Sequence, residues 1–273
     1  MTKKQALRTL GSLAGGFALF IAAVAHFLWH RGNRRTGAAI LFSGFAADTL
    51  LLVSFLVPNF PLTGRIFHRG RPTGNRIALT FDDGPRPPFT EMILDTLKHE
   101  SVPATFFVLG ENARRWPETL RRMEQEGHRV ANHGMDHGIL MFAGAAEALD
   151  QVERTGAILR DAGVKDPCRL FRAPHGWLSP VAHRALTSHG FRIAGWTKGV
   201  WDTANPGVET IVSRTDDILR PGSVLLFHDG WSGAGQEDRS QTASALSEII
   251  RLARERGLEF VTLEEMMEEE SRN

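Results

Sequence analysis

The sequence predicts an α/β fold: a distorted (β/α)7-8 barrel preceded by two transmembrane helices. Three observations carry this expectation. From about Arg76 onward, short apolar runs alternate with stretches of helical spacing, the pattern of a parallel sheet with covering helices. The seven or so units suit a closed barrel better than an open doubly wound sheet, and no glycine fingerprint for a dinucleotide or phosphate loop appears among them. The first sixty residues, by contrast, hold two long apolar stretches.

Those stretches come first in the chain. Leu10 to Trp29 contains no Asp, Glu, Lys or Arg, and is about the length a helix needs to cross a bilayer. Ala38 to Val57 is broken only by Asp48 and stopped by Pro58 and Pro61. Together they predict a membrane anchor over residues 1–60, with spans at about 10–29 and 38–57. A signal peptide is the rival reading for the first, a buried helical hairpin for the pair. Asp48 counts against the second span, because a carboxylate at a helix centre costs about 2.5–3.5 kcal/mol on insertion scales. The expected location is a bacterial inner or cytoplasmic membrane, multi-pass, with membrane lipid as a partner. Arginines lie both between the spans (Arg31, Arg34, Arg35) and after them (Arg65, Arg69, Arg71), so charge leaves the side of the following domain open.

Residues 61–75, rich in Pro, Gly and Arg, read as a linker to a domain spanning 76–268. Its strands are expected at Ile77–Phe81, Pro103–Leu109, Arg129–Asn132, Leu170–Arg172, Ile193–Trp196, Val224–Phe227 and Phe260–Leu263. The intervening helices are expected at Pro88–Lys98, Pro117–Gln125, Ala145–Ala162, Pro180–Ser188, Val208–Leu219 and Gln241–Arg256, several opening on Pro as helix N-termini do. The chain has 273 residues, is 42% hydrophobic and has a net charge of +1, enough for a large core and no footprint for nucleic acid. Its single cysteine, Cys168, excludes an internal disulfide framework. No protein partner is legible.

Polar residues cluster where the predicted strands end, the edge at which a β/α barrel assembles its site. Asp82-Asp83-Gly84-Pro85 ends the first strand. Two adjacent buried carboxylates repel, and a cation on one would free the other as a base; an exposed Asp-Asp-Gly-Pro turn is the plain alternative. Asn132-His133-Gly134-Met135-Asp136-His137 ends the third, and two imidazoles four residues apart can converge on one metal. Two His and one carboxylate leave a coordination position open, as catalytic zinc sites do. Arg172 and His175 follow the fourth strand, Trp201-Asp202 lies near the fifth, and Leu226-Phe227-His228-Asp229-Gly230 ends a late one. Singly, each admits an ordinary structural role.

Taken together, and with Ala104-Thr105-Phe106-Phe107-Val108-Leu109-Gly110 and Gly127-His128 between them, these motifs resemble the polysaccharide deacetylase family, which shares the NodB homology domain (carbohydrate esterase family 4). The likeness runs from about Arg76 to Met266. It implies a NodB-type distorted barrel and a metal-dependent hydrolase that removes N-acetyl groups from amino sugars in a polysaccharide or oligosaccharide. By the resemblance Asp82 is the catalytic base, Asp83, His133 and His137 the metal ligands, and Arg172 the residue that orients the base. His228 is the general acid, tuned by Asp202; Leu226 lines the acetyl pocket, His175 supplies a backbone N–H, and Trp201 lies by the substrate. The implied cofactor is a divalent ion, Zn2+ first, with Co2+, Mn2+ or Ni2+ as alternatives. The sequence departs from the pattern at Gly134, where Ser or Thr is usual, and at His175, where many members have Tyr. The segment from Trp196 to Asp202 follows a variant form, which puts the substrate more in doubt than the reaction. With two hydrophobic helices beside the domain, the alternative is a deacylase or deformylase of a lipid-linked aminosugar. An inactive sugar-binding relative is the third reading, opposed by the intact set of polar residues. The family's substrates favour a periplasmic or extracellular domain.

Overall fold

The computed structural model describes residues 22–24, 26–56, 64–164 and 169–271. The chain divides into two units, Met1–Leu62 and Thr63–Asn273. In the first, residues 22–24 and 26–30 are helical and a further helix runs Arg34–Leu56. No helix among the described residues is long and apolar enough to cross a membrane. The expected membrane anchor is therefore corrected: Arg34 and Arg35 stand in the first turn of the second helix, and the sequence puts Asp48 within it, so no charge-free run inside that helix approaches the ~20 residues a span needs. The multi-pass membrane location is corrected on the same finding, and the lipid partner has no support among the described residues. Most of the first expected span, 10–29, and Cys168 lie outside the described residues.

The second unit is organised around β1 (Arg76–Asp82), which is buried from Ile77 to Asp82 and pairs with three other strands. The others are β2 (Thr105–Val108), β3 (Arg129–Asn132), β4 (Leu170–Phe171), β5 (Arg192–Ile193), β6 (Lys198–Gly199), β7 (Val224–His228) and β8 (Glu259–Val261). Every ladder is parallel and the order is β5-β4-β3-β2-β1-β7-β6, with β8 added beside β1. This corrects the closed barrel to a half-barrel, because β5 and β6 end the sheet without pairing. Both are only two residues long, and the entering chain occupies that flank instead. Phe67 bridges to Ala194 and Arg69 to Ser223.

Helices α1 (Phe89–Glu100), α2 (Gly110–Arg115), α3 (Pro117–Gln125), α4 (Ala145–Asp161), α5 (Pro180–Ser188), α6 (Val208–Asp216) and α7 (Ser240–Glu255) connect the strands, and α8 (Leu263–Ser271) follows β8. The alternation of strand side chains explains which face is which. Ile77, Leu79 and Phe81 of β1, with Leu225 and Phe227 of β7, join the cluster built with Ile93, Leu97, Leu246 and Ile250 of α1 and α7. The opposite face carries smaller residues, Ala78, Ala131 and Val224, around Phe107. Thr80 and Asp82 share that inner face with Ala78, so the periodicity that buries Phe81 outward turns Asp82 inward. Among the strands and α-helices of the described residues, three were not foreseen in the sequence: α2, β6 and α8.

Candidate active site

Because all ladders are parallel, the ends of β1, β3, β4 and β7 open on one edge. Asp82 closes β1, His133 follows β3, Arg172 follows β4 and His228 closes β7. The register makes Asp82 and His228 direct partners on neighbouring strands.

Arg172 is wholly buried. Its Nη1 donates to Asp82 Oδ1 at 2.6 Å and to Thr80 Oγ1 at 2.9 Å, and its Nη2 to the Gly195 carbonyl at 2.7 Å. The guanidinium lies 4.1 Å from the centre of the Phe107 ring. A charge in so apolar a place needs such partners, and the Asp82 pair supplies the opposite charge. Asp82 is thereby fixed through Oδ1, with Oδ2 lying 3.8 Å from His133 Nε2.

Asp83 Oδ1 lies 3.4 Å from His133 Nε2 and 3.1 Å from His137 Nε2, and it is buried with no hydrogen-bond partner among the described residues. Burial alone would raise the Asp83 carboxyl, but the two histidines, His137 foremost, hold it well below the usual carboxylate range. His133 Nδ1 is 2.8 Å from the Arg172 carbonyl, which can only accept. Nδ1 therefore carries a proton, which leaves Nε2, on the Asp83 side, as the ring atom available to a cation. These three residues form the one candidate metal cluster among the described residues. Ligands at ~2.0–2.1 Å from a tetrahedral zinc stand roughly 3.3–3.4 Å apart, so the two Asp83 distances suit such an ion. An orphaned carboxylate oxygen, a fixed imidazole tautomer and that spacing make the set a fit for a divalent cation.

Opposite them, His228 Nδ1 lies 2.9 Å from Asp202 Oδ1, while Asp202 Oδ2 accepts from the His228 backbone N–H at 2.8 Å and from Thr242 Oγ1 at 3.0 Å. Burial pulls the His228 pKa down, but Asp202 outweighs it, with help from Asp83 and Asp82, and pushes it up to about 9. Leu226, two residues earlier on β7, shares the face of His228 and is buried. His175 has a left-handed backbone (φ 61°) and its ring meets His137 edge-on, 4.4 Å between centres. Trp201 is 70% exposed, immediately before Asp202.

Three residues of this neighbourhood were not singled out in the sequence. Asp229 is fully buried, accepts from Thr90 Oγ1 at 2.7 Å, and its carboxyl is pushed up to about 7 by burial, with the charges of Asp83 and Asp82 adding. A Cβ at Gly84 would meet its Oδ2 at 1.9 Å, so this glycine is required by close approach. Asn112 and Gln151 hold backbone groups at or beside the candidate metal ligands. Amides on helices carry no pattern that a single sequence could have exposed.

Fold and site together define a hydrolase assembled at one edge of a parallel sheet, with a place for one cation. A polysaccharide deacetylase family model matches residues 69–194. A chitooligosaccharide deacetylase of Bradyrhizobium sp. (strain ANU 289) is 39% identical over 206 residues, covering 72% of this chain and 93% of the relative. A peptidoglycan-N-acetylglucosamine deacetylase of Bacillus cereus is 35% identical over 193 residues, covering 70% and 87%. Among solved structures, a peptidoglycan N-acetylglucosamine deacetylase matches with a TM-score of 0.69 and 33% identity, over 73% of this chain and 91% of the other. The chain belongs to the polysaccharide deacetylase family, carbohydrate esterase family 4, and is a hydrolase of the deacetylase type.

Proposed function

We propose that the protein removes the N-acetyl group from an N-acetylated amino sugar within a glycan, with a divalent ion, zinc first, held by Asp83, His133 and His137. The observation that carries this is the convergence at one sheet edge of an arginine-held carboxylate, a carboxylate–imidazole–imidazole cluster and a carboxylate-held histidine. Relatives named for chitooligosaccharide and peptidoglycan deacetylation support the substrate class.

When bound, the ion polarises an acyl carbonyl and makes a water more acidic. Asp82 accepts the proton of the attacking water, its Oδ1 held by Arg172 and its other oxygen turned toward the ligand cluster. The backbone N–H of His175 is assigned to the oxyanion. His228, protonated at neutral pH, delivers a proton to the departing amine, which leaves poorly without one. Asp202 fixes Nδ1 and so turns Nε2 toward the site. Leu226 bounds the methyl end of the acyl group, and exposed Trp201 offers a face to the sugar.

The test is acetate release by purified protein from chitooligosaccharides and peptidoglycan fragments. Asp82→Asn should remove at least ~99% of it while bound metal stays near the wild-type amount. Full activity in Asp82→Asn would overturn the base assignment, and no acetate from any N-acetylated glycan would overturn the substrate class. The lipid-linked alternative rested on two membrane helices and has no support in the described residues.

A further inference from the structure

Two of the three candidate ligands, Asp83 (φ 74°) and His137 (φ 60°), sit in left-handed backbone, which only a few per cent of non-glycine residues adopt, although Asn, Asp and His are enriched among them. Such conformations persist only where surrounding contacts over-determine them. The contacts here come from two helices that lend no group to the proposed chemistry.

Helix α2 touches both ligand-bearing loops at once. Its first residues donate backbone N–H bonds to the second loop, Gly110 to the Gly134 carbonyl at 3.0 Å and Glu111 to the Met135 carbonyl at 2.9 Å. A Cβ at Gly110 would lie 2.5 Å from Met135 Sδ, so the approach depends on glycine. Two residues on, Asn112 is fully buried, and its Nδ2 donates to the Asp83 carbonyl at 2.7 Å and to the Trp231 carbonyl at 2.9 Å. Its Oδ1 accepts from Arg86 Nη1 at 3.3 Å. The amide thus leaves no polar atom idle, and it fixes the peptide group of a ligand residue directly.

Gln151 of α4 acts less directly, on the residues that precede His137. Its Oε1 accepts from the Met135 N–H at 2.6 Å, and its Nε2 donates to Asp136 Oδ1 at 3.1 Å. Asp136 Oδ1 also accepts from the Gly138 N–H at 3.1 Å, closing a turn around His137. Gly134, at φ 82°, leaves Gln151 room: a Cβ there would stand 3.2 Å from Oε1.

We infer that Asn112 and Gln151 are positioning residues of the metal site, each holding one ligand, Asp83 or His137, in the left-handed backbone that brings its donor atom to the cluster. The inference rests on the assignment of Asp83, His133 and His137 as ligands. Outer groups that orient ligands typically change metal affinity by 10–100-fold when removed.

The experiment titrates Co2+ into the metal-free full chain and reads affinity together with the visible absorption bands, whose energies and intensities report coordination geometry. Asn112→Ala should bind Co2+ at least ~10-fold more weakly with altered bands, and Gln151→Ala, whose partners lie in the more exposed loop, a few-fold more weakly. Metal-free thermal midpoints separate this from plain destabilisation. Unchanged affinity and bands in both variants, even with lowered midpoints, overturn the inference; if Asn112→Ala does not fold, Gln151→Ala decides by the same measure. Wild-type protein that takes up no Co2+ defeats the ligand assignment itself, a result distinguishable from the first.

Discussion

Asp202→Asn keeps the shape of the group that faces His228 but removes its charge. In the wild type His228 is pushed up to about 9, chiefly by Asp202 acting against burial. Without that charge the imidazole should return to about 6.5 or below. A general acid works while protonated, so activity is present below its pKa and is lost as pH rises through it. Between pKa values of about 9 and 6.5 the protonated fraction differs about 10-fold at pH 7.5, about 75-fold at pH 8.5 and less than twofold at pH 6. Asparagine also turns an N–H toward the His228 backbone N–H that Asp202 Oδ2 now accepts, a mismatch costing roughly 1–3 kcal/mol of stability. The assay is kcat/KM for acetate release between pH 5.5 and 10, with circular dichroism to confirm folding. The alkaline limb should move down by about 2.5 pH units or more. An unmoved limb in a folded variant would refute the pairing of Asp202 with a His228 proton donor.

Other outcomes follow from the same contacts. His133→Ala should lose both the bound divalent ion, by elemental analysis, and acetate release; retention of stoichiometric metal would remove His133 from the ligand set. Arg172→Met strands the buried Asp82 carboxylate, so urea unfolding should show a loss of about 3–5 kcal/mol. A change below ~1 kcal/mol would mean that water replaces the guanidinium. His128 is buried and burial lowers its pKa to about 4. It folds neutral, so its contribution is complete above about 6.5 and is lost as pH falls toward 4, by up to about 3 kcal/mol. His128→Gln should flatten that acid slope in unfolding midpoints measured from pH 7 to 4, and a slope as steep as the wild type's would place the acid sensitivity elsewhere.

Much of this arrangement was legible in the chain, and the limits have physical causes. The strand at Ile77–Phe81 was readable because a central parallel strand is apolar on both faces, and β1 is buried almost throughout. Helix α2 escaped because six residues with Gly, Glu, Asn and two Arg carry no apolar stripe; its position comes from tertiary contacts at Gly110 and Asn112. Strand β6, Lys198–Gly199, is two residues of poor strand formers, held by pairing with β7. Closure of the sheet was misread because counting strand–helix units says nothing about whether the last strands meet. At the site, motif order placed the charged residues, whereas the amides of Asn112 and Gln151 hold backbone groups, which no residue pattern announces. The apolar content of the N-terminal stretches suggested membrane spans. A helix beginning at Arg34 and containing Asp48 does not supply one.

The register that sets Asp82 beside His228 on adjacent strands has a consequence for how such a chain can change. Neighbouring strands are separated by a ladder repeat of ~4.8 Å, set by peptide geometry rather than by any side chain. The spacing between the proposed proton acceptor and proton donor is therefore inherited from the backbone. Substitutions in the loops that follow each strand can reshape what the cleft admits without stretching that distance. Under the proposed roles, selection of the sugar and execution of the proton transfers are mechanically decoupled, and the first can drift while the second stays in tune.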